Sequence, residues 1–122
     1  MPDYETCQRM MKKARKSKWG DPCRKLANNT YLCRYSDNDF VIYLHGHPII
    51  IIKPGSFYIL DSCGWKTVTI KDRLNTFSPA RVWQKKGQWF VKGKFGPVHF
   101  EDGMWIDFTG CPVCNMERLT GS

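Results

Sequence analysis

The stretch TYLCRYSDNDFVIYLHGHPIIIIKPGSFYILD, residues 30–61, decides the fold class of this chain. It is dominated by β-branched and aromatic residues, which suit a pleated, half-buried surface. Four runs stand out: Tyr31 to Tyr35, Phe40 to His45, His47 to Lys53 and Phe57 to Asp61. Turn chemistry separates them: the polar Ser36-Asp37-Asn38-Asp39, a tight corner at Gly46, and Pro54-Gly55. Short strands joined by short turns predict an antiparallel meander. Ile49 through Ile52 does not alternate with polar residues, so that strand is expected at the centre, covered on both faces.

Toward the N-terminus the period changes to that of a helix. Asp3 is placed to cap a helix from about Tyr4 to Ser17, its carboxylate accepting the open N–H groups of the first turn. Tyr4, Cys7, Met11 and Ala14 fall three or four apart and form one apolar stripe, with Arg9, Lys12, Lys13 and Lys16 largely off it. Trp19-Gly20-Asp21-Pro22 ends the helix. Toward the C-terminus, Thr69 and Asp72 resemble a capping box opening a short helix whose buried face is Ile70, Leu74 and Phe77, and which stops before Pro79. Arg81 to Gln84 and Gln88 to Lys92 are expected to form a hairpin over Lys85-Lys86-Gly87. Val98 to Phe100 and Met104 to Phe108 are expected to form another over Glu101-Asp102-Gly103. The expectation is an α+β fold: a twisted antiparallel sheet built from a meander plus C-terminal hairpins, with a basic N-terminal helix and one short central helix. No repeat or linker divides the chain. A single domain over 1–122 is expected, with the helix in 1–20, a β-rich body in 24–110 and a tail in 111–122.

Composition bounds the rest. The 122 residues carry 19 Lys and Arg against 11 Asp and Glu, a net charge of +8, with 42% hydrophobic side chains. That apolar share excludes a disordered chain. The longest aliphatic run, Ile49 to Ile52, is far below the ~20 residues of a membrane span. The charged N-terminus lacks the apolar stretch of a secretion signal, so neither export nor a membrane partner is expected. Charge is concentrated in RMMKKARKSK, residues 9–18, which holds six basic side chains and no acidic one. Such a segment attracts polyanions, and Lys and Arg contacts to phosphate supply most non-specific nucleic-acid affinity.

Six cysteines stand at 7, 23, 33, 63, 111 and 114. Without an export signal they are expected to stay reduced rather than to form a disulfide framework. Cys111-Pro112-Val113-Cys114 is the one tight pair, and two thiolates at this spacing supply half of a structural zinc site. The remaining ligands would come from Cys7, Cys23, Cys33, Cys63, His45, His47 or His99. His45-Gly46-His47 reads as a turn that scatters its histidines rather than as a catalytic metal site. There is no G-x-G-x-x-G, Walker-type loop or G-x-S-x-G elbow, so enzymatic function is not expected. Rings beside cations recur at Trp65-Lys66, Arg81-Val82-Trp83 and Trp89-Phe90-Val91-Lys92, a pattern that lets a sheet stack bases while cations hold phosphates. Trp89 and Trp105 are expected in the core, because large rings bury the most area.

RKLANNT (24–30), LHGHPII (44–50) and above all LDSCGWKTVTIKDRLN (60–75) resemble a family of small, functionally uncharacterised proteins of tailed bacteriophages. The resemblance spans residues 24–79, extends loosely to Phe100-Glu101-Asp102-Gly103-Met104, and leaves out the N-terminal helix and the CPVC tail. It implies phage origin, residence in the host cytoplasm and a binder acting on host machinery. It supplies no catalytic residue. Two functional expectations follow. One is binding of an anion, nucleic acid or nucleotide, by Arg9, Lys12, Lys13, Arg15 and Lys16 on the first helix. Lys66, Lys71 and Arg73 form a second set near the N–H groups opening the short helix. The other is inhibition of a host or host-defence protein complex with Trp65 or Trp83 as anchor. A zinc-dependent enzyme is a third, weaker alternative.

Overall fold

The computed structural model describes residues 4–12, 23–34, 39–64, 67–93 and 96–113, with side chains at all of these except 10–12. Its elements run α1 (Tyr4–Lys12), β1 (Cys23–Ala27), β2 (Thr30–Arg34), β3 (Phe40–Leu44), β4 (His47–Lys53), β5 (Phe57–Leu60), α2 (Val68–Phe77), β6 (Val82–Lys85), β7 (Gln88–Gly93), β8 (Gly96–His99) and β9 (Met104–Ile106). This is the expected α+β arrangement of antiparallel strands with an N-terminal and a central helix. The strands divide into a six-stranded sheet, β1-β2-β3-β4-β5-β9, and a three-stranded sheet, β6-β7-β8.

The meander forms where its turns predict it. The β3–β4 turn uses His45 and Gly46, at φ 51° and 79°, the left-handed pair that a two-residue hairpin of matching twist requires. β4 lies inside the sheet, and its aliphatic run is explained by a bulge: Ile42 opposes Ile50 while Tyr43 opposes Pro48. Ile49 is the extra residue, so it and Ile50 are both fully buried. Burial of each such side chain stabilises the fold by about 2 kcal/mol.

Register sorts the six-stranded sheet into rows. Leu32, Ile42, Ile50, Leu60 and Met104 oppose one another across five strands, as do Phe40, Ile52, Tyr58 and Ile106 across four. These rows form the core face. Tyr4 and Cys7 of α1 pack on it, Tyr4 meeting Phe40 edge-on at 5.4 Å between ring centres. Ile70 and Leu74 of α2 complete the layer with Val82, Trp89 and Val91 of the smaller sheet.

Several expectations are corrected. β1 joins the sheet although its charged sequence did not read as a strand. Cys23 lies directly opposite Cys33 on it, with 4.1 Å between α-carbons, and the two form a disulfide. Reduced thiols at these positions were therefore the wrong expectation: antiparallel register brings them together. The α2 cap is Thr67, whose hydroxyl accepts from the Ile70 N–H at 3.2 Å, not Thr69, which lies inside the helix. β8 and β9 do not pair with each other. β8 continues the β6–β7 hairpin, and β9 crosses to β5, guided by Asp102, whose carboxylate accepts from the backbone and hydroxyl of buried Ser62 at 2.9 and 2.7 Å. β9 stops at Ile106 because Asp107 opens a turn, its carboxylate accepting from the N–H groups of Thr109 and Cys111. The chain then doubles back, Val113 N–H donating to the Trp105 carbonyl at 2.8 Å. Ordinary sheet pairing thus holds the start of the CPVC segment. Trp89 is buried as expected, whereas Trp105 is half-buried beside Phe57 on the sheet's other face.

Candidate nucleic-acid interface

The β6–β7 hairpin turns on Lys86 and Gly87, at φ 52° and 78°, so its two-residue loop fixes the register. Val82, Trp89 and Val91 are buried, which turns the alternate residues of both strands outward. Trp83 opposes Phe90, and Phe90 opposes His99. The three rings form a continuous row across the outer face of all three strands. Trp83 and Phe90 stack at 6.1 Å and 26°, and Phe90 meets His99 at 4.8 Å.

Cations flank the row. By strand alternation Lys85 and Gln88 lie on one side of it and Lys92 and Pro97 on the other. Arg81 stands beside Lys92, whose N–H donates to the Arg81 carbonyl. Arg81, Lys85, Lys86 and Lys92 are exposed, and none pairs with a carboxylate among the described residues. At the Trp83 end a groove of about 640 Å³ opens between Asn75 and the Ser78–Trp83 stretch.

The residues singled out from the sequence are distributed differently. Arg9 is exposed on α1, its guanidinium donating to Thr6 at 3.4 Å. The side chain of Lys12 and the whole of Lys13, Arg15, Lys16, Trp65, Lys66 and Cys114 lie outside the described residues. Lys71 is half-buried on α2. Arg73 is committed to the fold: its Nε donates to Thr30 Oγ1 at 2.9 Å and its NH1 pairs with Asp72 at 2.6 Å. Asn75 exchanges two hydrogen bonds with the Val82 backbone. Within the phage-like block Thr67 thus caps α2, and Arg73 and Asn75 dock it, Asn75 also lining the groove.

What sequence reading underweighted is the row itself and its cations. The signal was present as a charge pattern: from Arg73 to Phe100 there are six basic residues and no acidic one. The hairpin register then converts that run into a face.

The described cysteines and histidines do not converge on one metal-holding site. Among the described residues no group of three or more His, Cys, Asp or Glu side chains is arranged to hold a metal. Cys7 is buried in the core, and Cys23 and Cys33 bond to each other. His45 and His47 are exposed at the β3–β4 turn, as the Gly46 corner implies. Cys63 donates its thiol to the Pro48 carbonyl at 3.2 Å. Burial raises its pKa, and the Asp61 and Asp102 carboxylates raise it further, so the thiol is held in its protonated, weakly nucleophilic form. Among the described residues no helix is long and apolar enough to cross a membrane.

Neither a curated protein nor a solved structure matches the chain. A family model does, and its match to residues 5–107 takes in the N-terminal helix that the phage-like blocks left out, stopping short of the CPVC segment. Both sheets and both helices fall within that span, and the chain belongs to the phage-associated family described as Kyanoviridae Gp96 protein.

Proposed function

We propose that this protein is a non-enzymatic phage accessory protein that binds a polyanion, nucleic acid or nucleotide, in the host cytoplasm. The observation that carries this reading is the acid-free outer face of β6–β8, where Arg81, Lys85, Lys86 and Lys92 stand unneutralised. Phosphates approaching it meet several positive charges and no acidic side chain on these three strands, and release of their counterions drives binding. The N-terminal cations Arg9, Lys12, Lys13, Arg15 and Lys16 add long-range attraction. Affinity for a labelled oligonucleotide, measured from 50 to 300 mM salt, should fall steeply in the native protein and less steeply in Lys85→Gln/Lys92→Gln. Negligible binding at low salt rejects the reading. The non-enzymatic part is rejected by nuclease, phosphodiesterase or hydrolase turnover that disappears on changing His45 or Asp61.

A second reading, docking on a host or host-defence protein complex, is favoured by a different surface. On the far face of the six-stranded sheet, half-buried Ile51, Ile59 and Trp105 oppose one another in a single apolar row. A partner captured from infected cells that survives nuclease and is lost on Trp105→Ala decides for it.

A further inference from the structure

We infer that the ligand of the β6–β8 face is single-stranded nucleic acid, with bases stacked on the Trp83–Phe90–His99 row and phosphates held by Arg81, Lys85 and Lys92. This rests on the polyanion reading and specifies its ligand.

The argument is geometric. A duplex keeps its bases stacked within the helix, so it offers this face only its phosphates. An unpaired strand exposes the flat faces of its bases, which stack favourably on aromatic rings whatever the base. Here three rings cross three strands without a break, at 6.1 and 4.8 Å between neighbouring centres. The two outer rings are not packing for the core, which is filled from the opposite face by Val82, Trp89 and Val91. Trp83 and Phe90 remain half-buried and His99 exposed. Cations on both sides of the row can hold the phosphates of a strand whose bases lie on the rings, whichever edge its one backbone follows.

The groove at the Trp83 end extends this path and is of a size that takes a small planar group. The Asn75 amide that lines it is already spent on the Val82 backbone on both its N and O sides. Stacking on rings is tolerant of base identity, so little sequence preference is expected.

The test is fluorescence anisotropy of labelled 12-mers at fixed salt: oligo-dT, oligo-rU, a mixed-sequence duplex of equal length, and a labelled mononucleotide. The native protein should bind a single strand about tenfold or more tighter than duplex, a difference set by one or more stacked bases. The dT and rU arms distinguish DNA from RNA. Trp83→Ala and, as a variant at an exposed position, His99→Ala should each weaken single-strand binding about fivefold or more. Duplex binding and the salt dependence should be unchanged, because no cation is removed. Equal affinity for duplex and single strand, or loss of neither affinity in both variants, overturns the stacking assignment while leaving the polyanion reading standing. A mononucleotide bound as tightly as the 12-mers also overturns it. Failure of every probe to bind rejects both.

Discussion

Asn75 and Val82 exchange a pair of hydrogen bonds across the joint between α2 and the small sheet. The Asn75 Nδ2 donates to the Val82 carbonyl at 2.8 Å, and the Val82 N–H donates to Asn75 Oδ1 at 2.7 Å. The side-chain amide thus stands where a neighbouring strand would pair, satisfying the edge of β6 and fixing the Trp83 side of the aromatic row. Asn75→Ala leaves both backbone groups without this partner and should destabilise the protein by about 2 kcal/mol. The urea midpoint should fall with little change in slope. Asn75→Asp keeps the acceptor but loses the donor, and should cost less than the alanine variant.

Arg73 and Arg81 should separate structure from binding. Arg73→Gln removes the bond to Thr30, whose hydroxyl also donates to the Asn28 carbonyl at 2.9 Å. Thermal stability should drop while the salt slope of oligonucleotide binding holds. Arg81→Gln should leave the melting temperature within error and reduce that slope by about 0.7 if it neutralises one phosphate of a single strand. The reverse pattern would return Arg73 to the binding site.

The Cys23–Cys33 disulfide ties the edge strand β1 to β2 across a sequence separation of 10. A crosslink of this loop size restricts the unfolded chain and contributes on the order of 3 kcal/mol. Cys23→Ser/Cys33→Ser should lower the melting temperature by about 10 °C, and reductant should do the same to the native protein. Oligonucleotide affinity should not move, because the crosslink lies in the other sheet. An unchanged melting temperature contradicts the assignment.

Cys63 should react slowly. Its folded pKa is raised by burial first and by the carboxylates of Asp61 and Asp102 next, so at neutral pH it holds less thiolate than an ordinary cysteine. Alkylation should accelerate only above the usual thiol range, and Asp61→Asn should bring that acceleration to lower pH. The stability sign follows. The fold favours the protonated thiol, so its contribution is complete below the unfolded pKa of about 8.5 and fades as pH rises through the higher folded value. Mass-resolved labelling from pH 6 to 10 checks both parts.

Local pairing was legible in the sequence and non-local pairing was not. The meander from β2 to β5 is written in short turns such as His45-Gly46, and the Lys86-Gly87 turn announces β6–β7 in the same way. Cys23–Ala27 passed unnoticed because Arg24 and Lys25 face solvent on an edge strand and break the apolar pattern. The β5–β9 pairing hangs on Ser62 and Asp102, forty residues apart, which no local pattern reveals. Two threonines stand near the start of the central helix, and only backbone conformation chooses Thr67 over Thr69 as its cap. The cations were the easier half of the site, and the first helix and the Lys66, Lys71 and Arg73 set drew the assignment. The row of rings needed the β6–β7–β8 register, since Trp83 and His99 are neighbours of Phe90 only after the strands pair.

The most direct measurement is amide chemical-shift mapping of the ¹⁵N-labelled protein titrated with a short oligo-dT at low salt. The account predicts shifts concentrated at Arg81, Trp83, Lys85, Phe90, Lys92 and His99, with small changes at Cys33, Val41 and Ile51 in the larger sheet. Saturating binding whose shifts avoid the outer face of β6–β8, or no shifts at millimolar oligonucleotide, would contradict it.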